Sequence, residues 1–250
     1  MFTDTHCHLS KEDYDNINEV IDRAKQNKVD RLIICGCDKK GIMEAVDIAN
    51  KYPNIYLELG FHPSEANITT KEDLNWLKEI IKNNNKVVAI GEIGLDYHWE
   101  KDNKDKQKEL FINQINLSKE LNLPVVIHSR DSFQDTYDIL KESNVKADIH
   151  CFSGSLENAK RYTSLGLYLG IGGVLTFKNT NLRDTLKEID MKYILLETDS
   201  PYLAPVPFRG EQNEPKNVKI VAETISDIKG ITLEEVSNIT ENNIKELFNI

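Results

Sequence analysis

Short apolar, β-branched runs recur along this chain with charged, helix-spaced segments between them, and that alternation restricts the fold more than any single motif. The runs are MFTDTHCH at the start, RLIICG from Arg31, IYLELGFH from Ile55, KVVAIGEIG from Lys86, LPVVIHS from Leu123, KADIHCFSG from Lys146, LYLGIGG from Leu167 and YILLETDSP from Tyr193, eight in all. Helical spacing predicts helices over residues 14–27, 41–51, 71–82, 104–121 and 132–141. A parallel pair of strands needs a crossover connection, so strand, helix, strand, helix implies a parallel sheet. Eight such units in 250 residues predict a single-domain (β/α)8 TIM barrel over residues 1–250. A doubly wound open sheet is the competing arrangement. No repeat, low-complexity tract or linker divides the chain. Residues 200–215, SPYLAPVPFRGEQNEP, hold four of the seven prolines and read as one long loop.

Composition removes several functional classes. The net charge of −10 argues against a broad basic face gripping a long nucleic acid, which needs many lysine and arginine contacts to phosphate, but leaves room for contacts to a few phosphates. Cations bound in a site would also reverse the sign of the local field. Apolar runs such as KVVAIG and KYILLE are too short to cross a bilayer, and the N-terminus has no basic stretch followed by an apolar one. The expectation is a cytoplasmic protein that engages no membrane and requires no protein partner. Cys7, Cys35, Cys37 and Cys151 show neither zinc-ribbon nor disulfide-framework spacing and read as reduced, buried thiols.

Against this background the histidines stand out. Side chains two apart in a strand share a face, so His6 and His8 project together while Cys7 faces the other way. His62 follows the third strand, Glu92 the fourth, His128 the fifth, His150 the sixth and Asp199 the eighth. These positions read as C-terminal strand ends, which in a barrel share the rim that carries the active site. Of the six histidines only His98 falls outside the pattern. A lone histidine is usually structural and a lone acid usually a helix cap, but five imidazoles and two carboxylates on one rim indicate a metal site.

Catalytic zinc commonly takes three protein ligands, and six candidates exceed that need. The surplus points to two ions sharing a carboxylate, with Glu92 as the natural bridge. Mixed imidazole and carboxylate ligation suits zinc, manganese or iron better than magnesium, which prefers oxygen. The identity of the two divalent ions, whether zinc, manganese or magnesium, stays open.

In order, and over nearly the whole chain, FTDTHCHL, LGFHPSEA, VAIGEIGLDY, PVVIHSRD, HCFSGS, GIGGVLTFKN, LLETDSPYLAP and RGEQNEP resemble the motifs of the TatD family of metal-dependent deoxyribonucleases. The resemblance implies an amidohydrolase-type (β/α)8 fold and hydrolysis of phosphodiester bonds in DNA, often from the 3′ end of single strands. It further implies that His6, His8, Glu92 and Asp199 hold one metal and Glu92, His128 and His150 the other.

The expected chemistry is attack on phosphorus by metal-activated water, with Asp199 as proton acceptor. His62 is a candidate donor to the scissile phosphate, and Arg130, at the start of the fifth crossover, is another, with a surface ion pair as its alternative role. Arg209 and Tyr202 on the 200–215 loop, and Lys178 after the glycines of GIGGVLTFKN, are further substrate contacts. Phe61, Tyr97 and Tyr202 could stack on bases, with ordinary packing as the alternative. Two rival functions are a hydrolase of C–N or lactone bonds on the same scaffold and a non-catalytic accessory protein stabilised by metal. Related barrels that bridge their metals with a modified lysine differ from this chain, where Glu92 takes that place.

Overall fold

A computed structural model describes residues 1–99 and 101–250. The strands are β1 (Phe2–Cys7), β2 (Val29–Gly36), β3 (Ile55–Leu59), β4 (Val87–Asp96), β5 (Val125–Arg130), β6 (Ala147–Ile149), β7 (Tyr168–Ile171) and β8 (Ile194–Leu196). They follow one another in chain order within one eight-stranded sheet. A doubly wound sheet would break that order, so the fold class is the (β/α)8 barrel. The helices are α1 (Ile17–Gln26), α2 (Lys39–Ala49), α3 (Lys71–Lys82), α4 (Lys104–Leu121), α5 (Phe133–Ser143), α6 (Leu156–Ser164), α7 (Leu182–Glu188), α8 (Val218–Lys229) and α9 (Leu233–Phe248). The predicted α3 and α4 coincide with the observed ones, while α1 starts three residues later than its apolar pattern because the Asn16 side chain accepts from the Glu19 N–H and caps it. Among the described residues no helix is long and apolar enough to cross a membrane.

The chain gathers into two compact units, residues 1–34 with 150–250, and residues 35–149. In the first, all six residues of β1 are buried, and β1 pairs with β2 through Phe2 opposite Val29 and Asp4 opposite Leu32. The end of β1 is also bonded to the segment after β8: the Asp199 N–H donates to the His6 carbonyl (3.1 Å) and the His8 N–H to the Ser200 carbonyl (2.7 Å). Helix α9 begins at a Thr232–Glu235 capping box and buries Val236, Ile244, Leu247 and Phe248. Each such buried apolar side chain contributes about 1.5–3 kcal/mol. Residues 200–215 are irregular, as their prolines predict, and are tied down by Asn213, whose Nδ2 donates to the carbonyls of Thr198 (2.9 Å) and Tyr202 (2.7 Å).

In the second unit β4 carries the core, with all ten residues buried, and it lies between β3 and β5. Its close approach to β5 explains Gly94: a methyl group there would sit 2.0 Å from the His128 carbonyl oxygen, and φ is +144°. Helix α3 opens with a Thr70–Asp73 capping box and buries Leu77 and Ile81. All four cysteines are reduced, outside any disulfide; Cys7 and Cys35 are buried as expected, whereas Cys37 and Cys151 are only partly covered.

Candidate metal centre

In the first unit, His6 lies in β1 and His8 one residue beyond its end, so the pleat aims both rings the same way. Their Nε2 atoms are 3.3 Å apart, and each is 3.6 Å from Asp199 Oδ1. The His150 ring, one residue past β6, lies 4.1 Å from the His6 ring centroid to centroid. His6, His150 and Asp199 each offer a ligand atom within 4.8 Å of the others. Asp199 has a φ of +53°, a left-handed conformation that aspartate tolerates better than most residues. Burial would raise its carboxyl pKa, but hydrogen bonds to His6 and His8 and the positive charge of His150 hold it well below the usual carboxylate range. Behind His6, the buried Asp4 takes hydrogen bonds from the Thr198 N–H (2.9 Å) and hydroxyl (2.6 Å). Behind His150, the buried Glu197 accepts the Cys151 N–H at 2.8 Å and lies 3.8 Å from His150 Nδ1. Gly170 makes room for it, since a methyl there would meet Glu197 Oε2 at 2.2 Å.

In the second unit, Glu92 lies inside β4 rather than at its end, because β4 continues four residues further, to Asp96. His128 lies within β5 and stands between two carboxylates, its Nδ1 2.7 Å from Glu92 Oε1 and its Nε2 3.0 Å from Asp96 Oδ2. Burial favours a neutral His128, yet hydrogen bonds to Asp96 and Glu92 outweigh it and raise the ring's pKa. The same contact, with two backbone N–H bonds, holds Asp96 low against its own burial. Convergent imidazole nitrogens and carboxylate oxygens, fixed by neighbouring hydrogen bonds, are the donor chemistry that divalent transition ions take. The residues present therefore fit the implied metals.

The remaining candidates divide. The Ser64 N–H donates to His62 Nδ1 (3.1 Å), which places the proton of a neutral His62 ring on Nε2, and the ring lies 4.6 Å from that of His128. Arg130 is exposed, its guanidinium 5.5 Å from the Trp99 ring centroid. Tyr202 is 59% exposed with its ring 6.1 Å from that of His8, whereas Phe61 is 2% exposed and packs near Trp76. Tyr97 is engaged as well, its hydroxyl donating to Asp135 and its ring lying under Lys104. Arg209 lies over Phe177 at 4.3 Å, and Lys178 is exposed. His98 pairs with Asp131 at 3.2 Å, in keeping with its place outside the pattern.

Sequence reasoning passed over Asp4, Asp96 and Glu197. A signal existed: Asp4 precedes His6 by two residues, Glu197 precedes Asp199 by two, and Asp96 follows Glu92 by four. Even spacings put residues of one strand on one face, which applies to Asp4 on β1 and Asp96 on β4, whereas Glu197 and Asp199 lie past the end of β8.

Comparisons with known proteins give the family and the fold. A family model described as TatD related DNase matches residues 3–249. YabD of Bacillus subtilis, described as an uncharacterized metal-dependent hydrolase, is 49% identical over 255 residues that span 100% of both chains. YcfH of Escherichia coli K12, described the same way, is 36% identical over 99% of this chain and 95% of its own. Among solved structures, YJJV, a TatD homolog from Escherichia coli K12, superimposes with a TM-score of 0.93 at 30% identity, covering 100% of this chain and 98% of that one. A TatD family hydrolase from Entamoeba histolytica gives 0.89 at 27% identity over 99% and 97% of the two chains.

Proposed function

This chain belongs to the TatD-related DNase family of metal-dependent hydrolases, and from that premise we propose that it hydrolyses phosphodiester bonds of DNA as a 3′-to-5′ exonuclease on single strands, working in the cytoplasm as one domain over its whole length. The proposed ligands are His6, His8, Glu92 and Asp199 for one divalent ion and Glu92, His128 and His150 for the other. Bound there, such ions supply positive charge for phosphate oxygens and lower the pKa of water.

The chain's own residues take the remaining roles. Asp199, held ionised, accepts the proton of the attacking water. His62, with Nδ1 occupied by Ser64, donates from Nε2 to a phosphate oxygen. Arg130, Lys178 and Arg209 contact neighbouring phosphates, and the exposed Tyr202 ring stacks on a base. The observation that carries the reading is the convergence of His6 Nε2, His8 Nε2 and Asp199 Oδ1, since two like imidazole nitrogens 3.3 Å apart and one carboxylate make a cation site.

The test is hydrolysis of a 3′-labelled single-stranded oligonucleotide, abolished by EDTA and restored by manganese or zinc. Glu92→Ala should remove nearly all turnover, and substantial residual activity refutes the bridging role. Turnover of hydantoins or lactones with none of DNA assigns the chain to a different hydrolase. Failure on every substrate, with metal only raising the melting temperature, makes it a metal-stabilised accessory protein.

A further inference from the structure

Asp96 is four residues beyond Glu92 on β4 and is 2% exposed. Both of its oxygens are committed. Oδ1 accepts the backbone N–H groups of His98 and Trp99, each at 2.9 Å, and Oδ2 faces His128 Nε2 at 3.0 Å. The main chain of Asp96 is clamped too: its N–H donates to Gln107 Oε1 (2.8 Å), and Gln107 Nε2 donates to its carbonyl (3.0 Å). Gln107 is itself fully buried. Backbone, carboxylate and clamp thus fix one oxygen in front of one imidazole nitrogen.

We propose that Asp96 is a positioning residue for the metal centre: when an ion takes the place of the proton that His128 Nδ1 directs at Glu92, Asp96 keeps the ring's remaining proton on Nε2, so that Nδ1 is the nitrogen that ligates. An imidazole offers a metal only the nitrogen without a proton, so the choice of tautomer decides which side of the ring can ligate. Because Oδ1 is occupied by two N–H donors, Asp96 has no second orientation of similar energy in which Oδ2 leaves the ring. The assignment rests on the proposed ligand role of His128, and not on DNA being the substrate.

The discriminating variant is Asp96→Asn. Its side-chain oxygen must take the place of Oδ1 to satisfy the His98 and Trp99 N–H groups, which leaves its NH2 facing His128 Nε2. Two donors cannot face one another, so the ring must move its proton to Nδ1, the nitrogen meant for the ion. With purified full-length protein, zinc titrated by calorimetry against a chelator should show two ions bound by the wild type. Asp96→Asn should weaken one of them about 10- to 100-fold. The other ion should keep its affinity, and the metal-free variant should still unfold cooperatively, with a melting temperature lowered only by the lost contact to His128.

A residue that only supports the fold would lower affinity whether or not His128 were present. Adding Asp96→Asn to His128→Ala should therefore cost no further affinity, the outcome of a cycle in which both residues act through one contact. The proposal is overturned if Asp96→Asn binds both ions as tightly as the wild type, or if its loss persists undiminished in the His128→Ala background. If His128→Ala itself binds both ions normally, the ligand role fails and this inference with it. Absence of DNA hydrolysis by a protein that still shows the expected affinities overturns the DNase reading alone.

Discussion

The half of the proposed ligand set on β1 and the segment after β8 differs from the half on β4 and β5 in what fixes its side chains. In the first half the main chain does it. The backbone bonds Asp199 to His6 and His8 to Ser200 set where the rings and the carboxylate emerge, and the left-handed φ of Asp199 aims it. In the second half side-chain hydrogen bonds do it: the Gln107 amide holds the main chain of Asp96, and the Asp96 carboxylate meets His128, whose other nitrogen meets Glu92. Donors set by the backbone should survive changes in their neighbours. Donors set by side-chain hydrogen bonds should fail when a neighbour loses its hydrogen-bonding character, even at constant volume.

The largest effect expected from either half is on turnover. Asp199→Asn keeps the volume and tolerates the same left-handed conformation, but removes both the charge and the proton acceptor. Oligonucleotide hydrolysis should fall by about 10³-fold, comparable to losing a positioned acid–base group and a charge contact together. The melting temperature of the metal-free variant should stay close to that of the wild type. A large drop in melting temperature would show that Asp199 is needed to hold the loop and not only for chemistry.

Next in size is a matched pair of substitutions, one behind each half. Gln107→Leu leaves the buried N–H and carbonyl of Asp96 without partners and should cost about 3 kcal/mol in urea unfolding. It should also weaken one ion, because it loosens the residue that orients His128. Thr198→Val removes a hydroxyl that donates to Asp4 and accepts the Ser200 N–H, at about 1–2 kcal/mol. It leaves the backbone bond between Asp199 and His6 in place and should leave zinc affinity unchanged. If both substitutions lower affinity equally, the contrast between the halves is wrong.

The ease with which each half could be foreseen follows the same division. His6, His8, His150 and Asp199 were legible because strand-end histidines and acids stand out beside apolar runs, and side-chain period two makes the His6 and His8 geometry a consequence of spacing. Glu92 was legible as a ligand candidate but misplaced as a strand end, since EIGLD continues the apolar alternation and only pairing with β5 shows where β4 stops. Asp96 was not found, because a single acid after an apolar strand equally well caps a helix, and its partner lies 32 residues away. The strands β6 and β8, three residues each, are shorter than the runs KADIHCFSG and YILLETDSP because left-handed residues, Cys151 and Asp199, follow them closely. Helix positions were easier, being set by caps such as Thr70 with Asp73 that are local in sequence.

The smallest effect separates stability from the centre altogether. Asp73, on α3, takes an ion pair from Lys39 and closes a capping box, accepting the N–H (2.8 Å) and hydroxyl (2.9 Å) of Thr70. The Lys39 contact is the main cause of a carboxyl pKa lowered to about 2. The folded pKa thus lies below the unfolded value of about 3.9, so the contribution is complete above about pH 4 and is lost as pH falls through 2. Because the pair is largely at the surface, Asp73→Asn should destabilise by only about 0.5–1 kcal/mol at neutral pH. The gap between variant and wild type, read from urea midpoints, should close between pH 4 and pH 2. Zinc affinity should not move, since Asp73 provides neither a ligand nor a partner to one. A variant that weakens ion binding as well would mean that fraying of α3 reaches β4, and that the second half depends on helix stability as much as on the hydrogen bonds of Asp96.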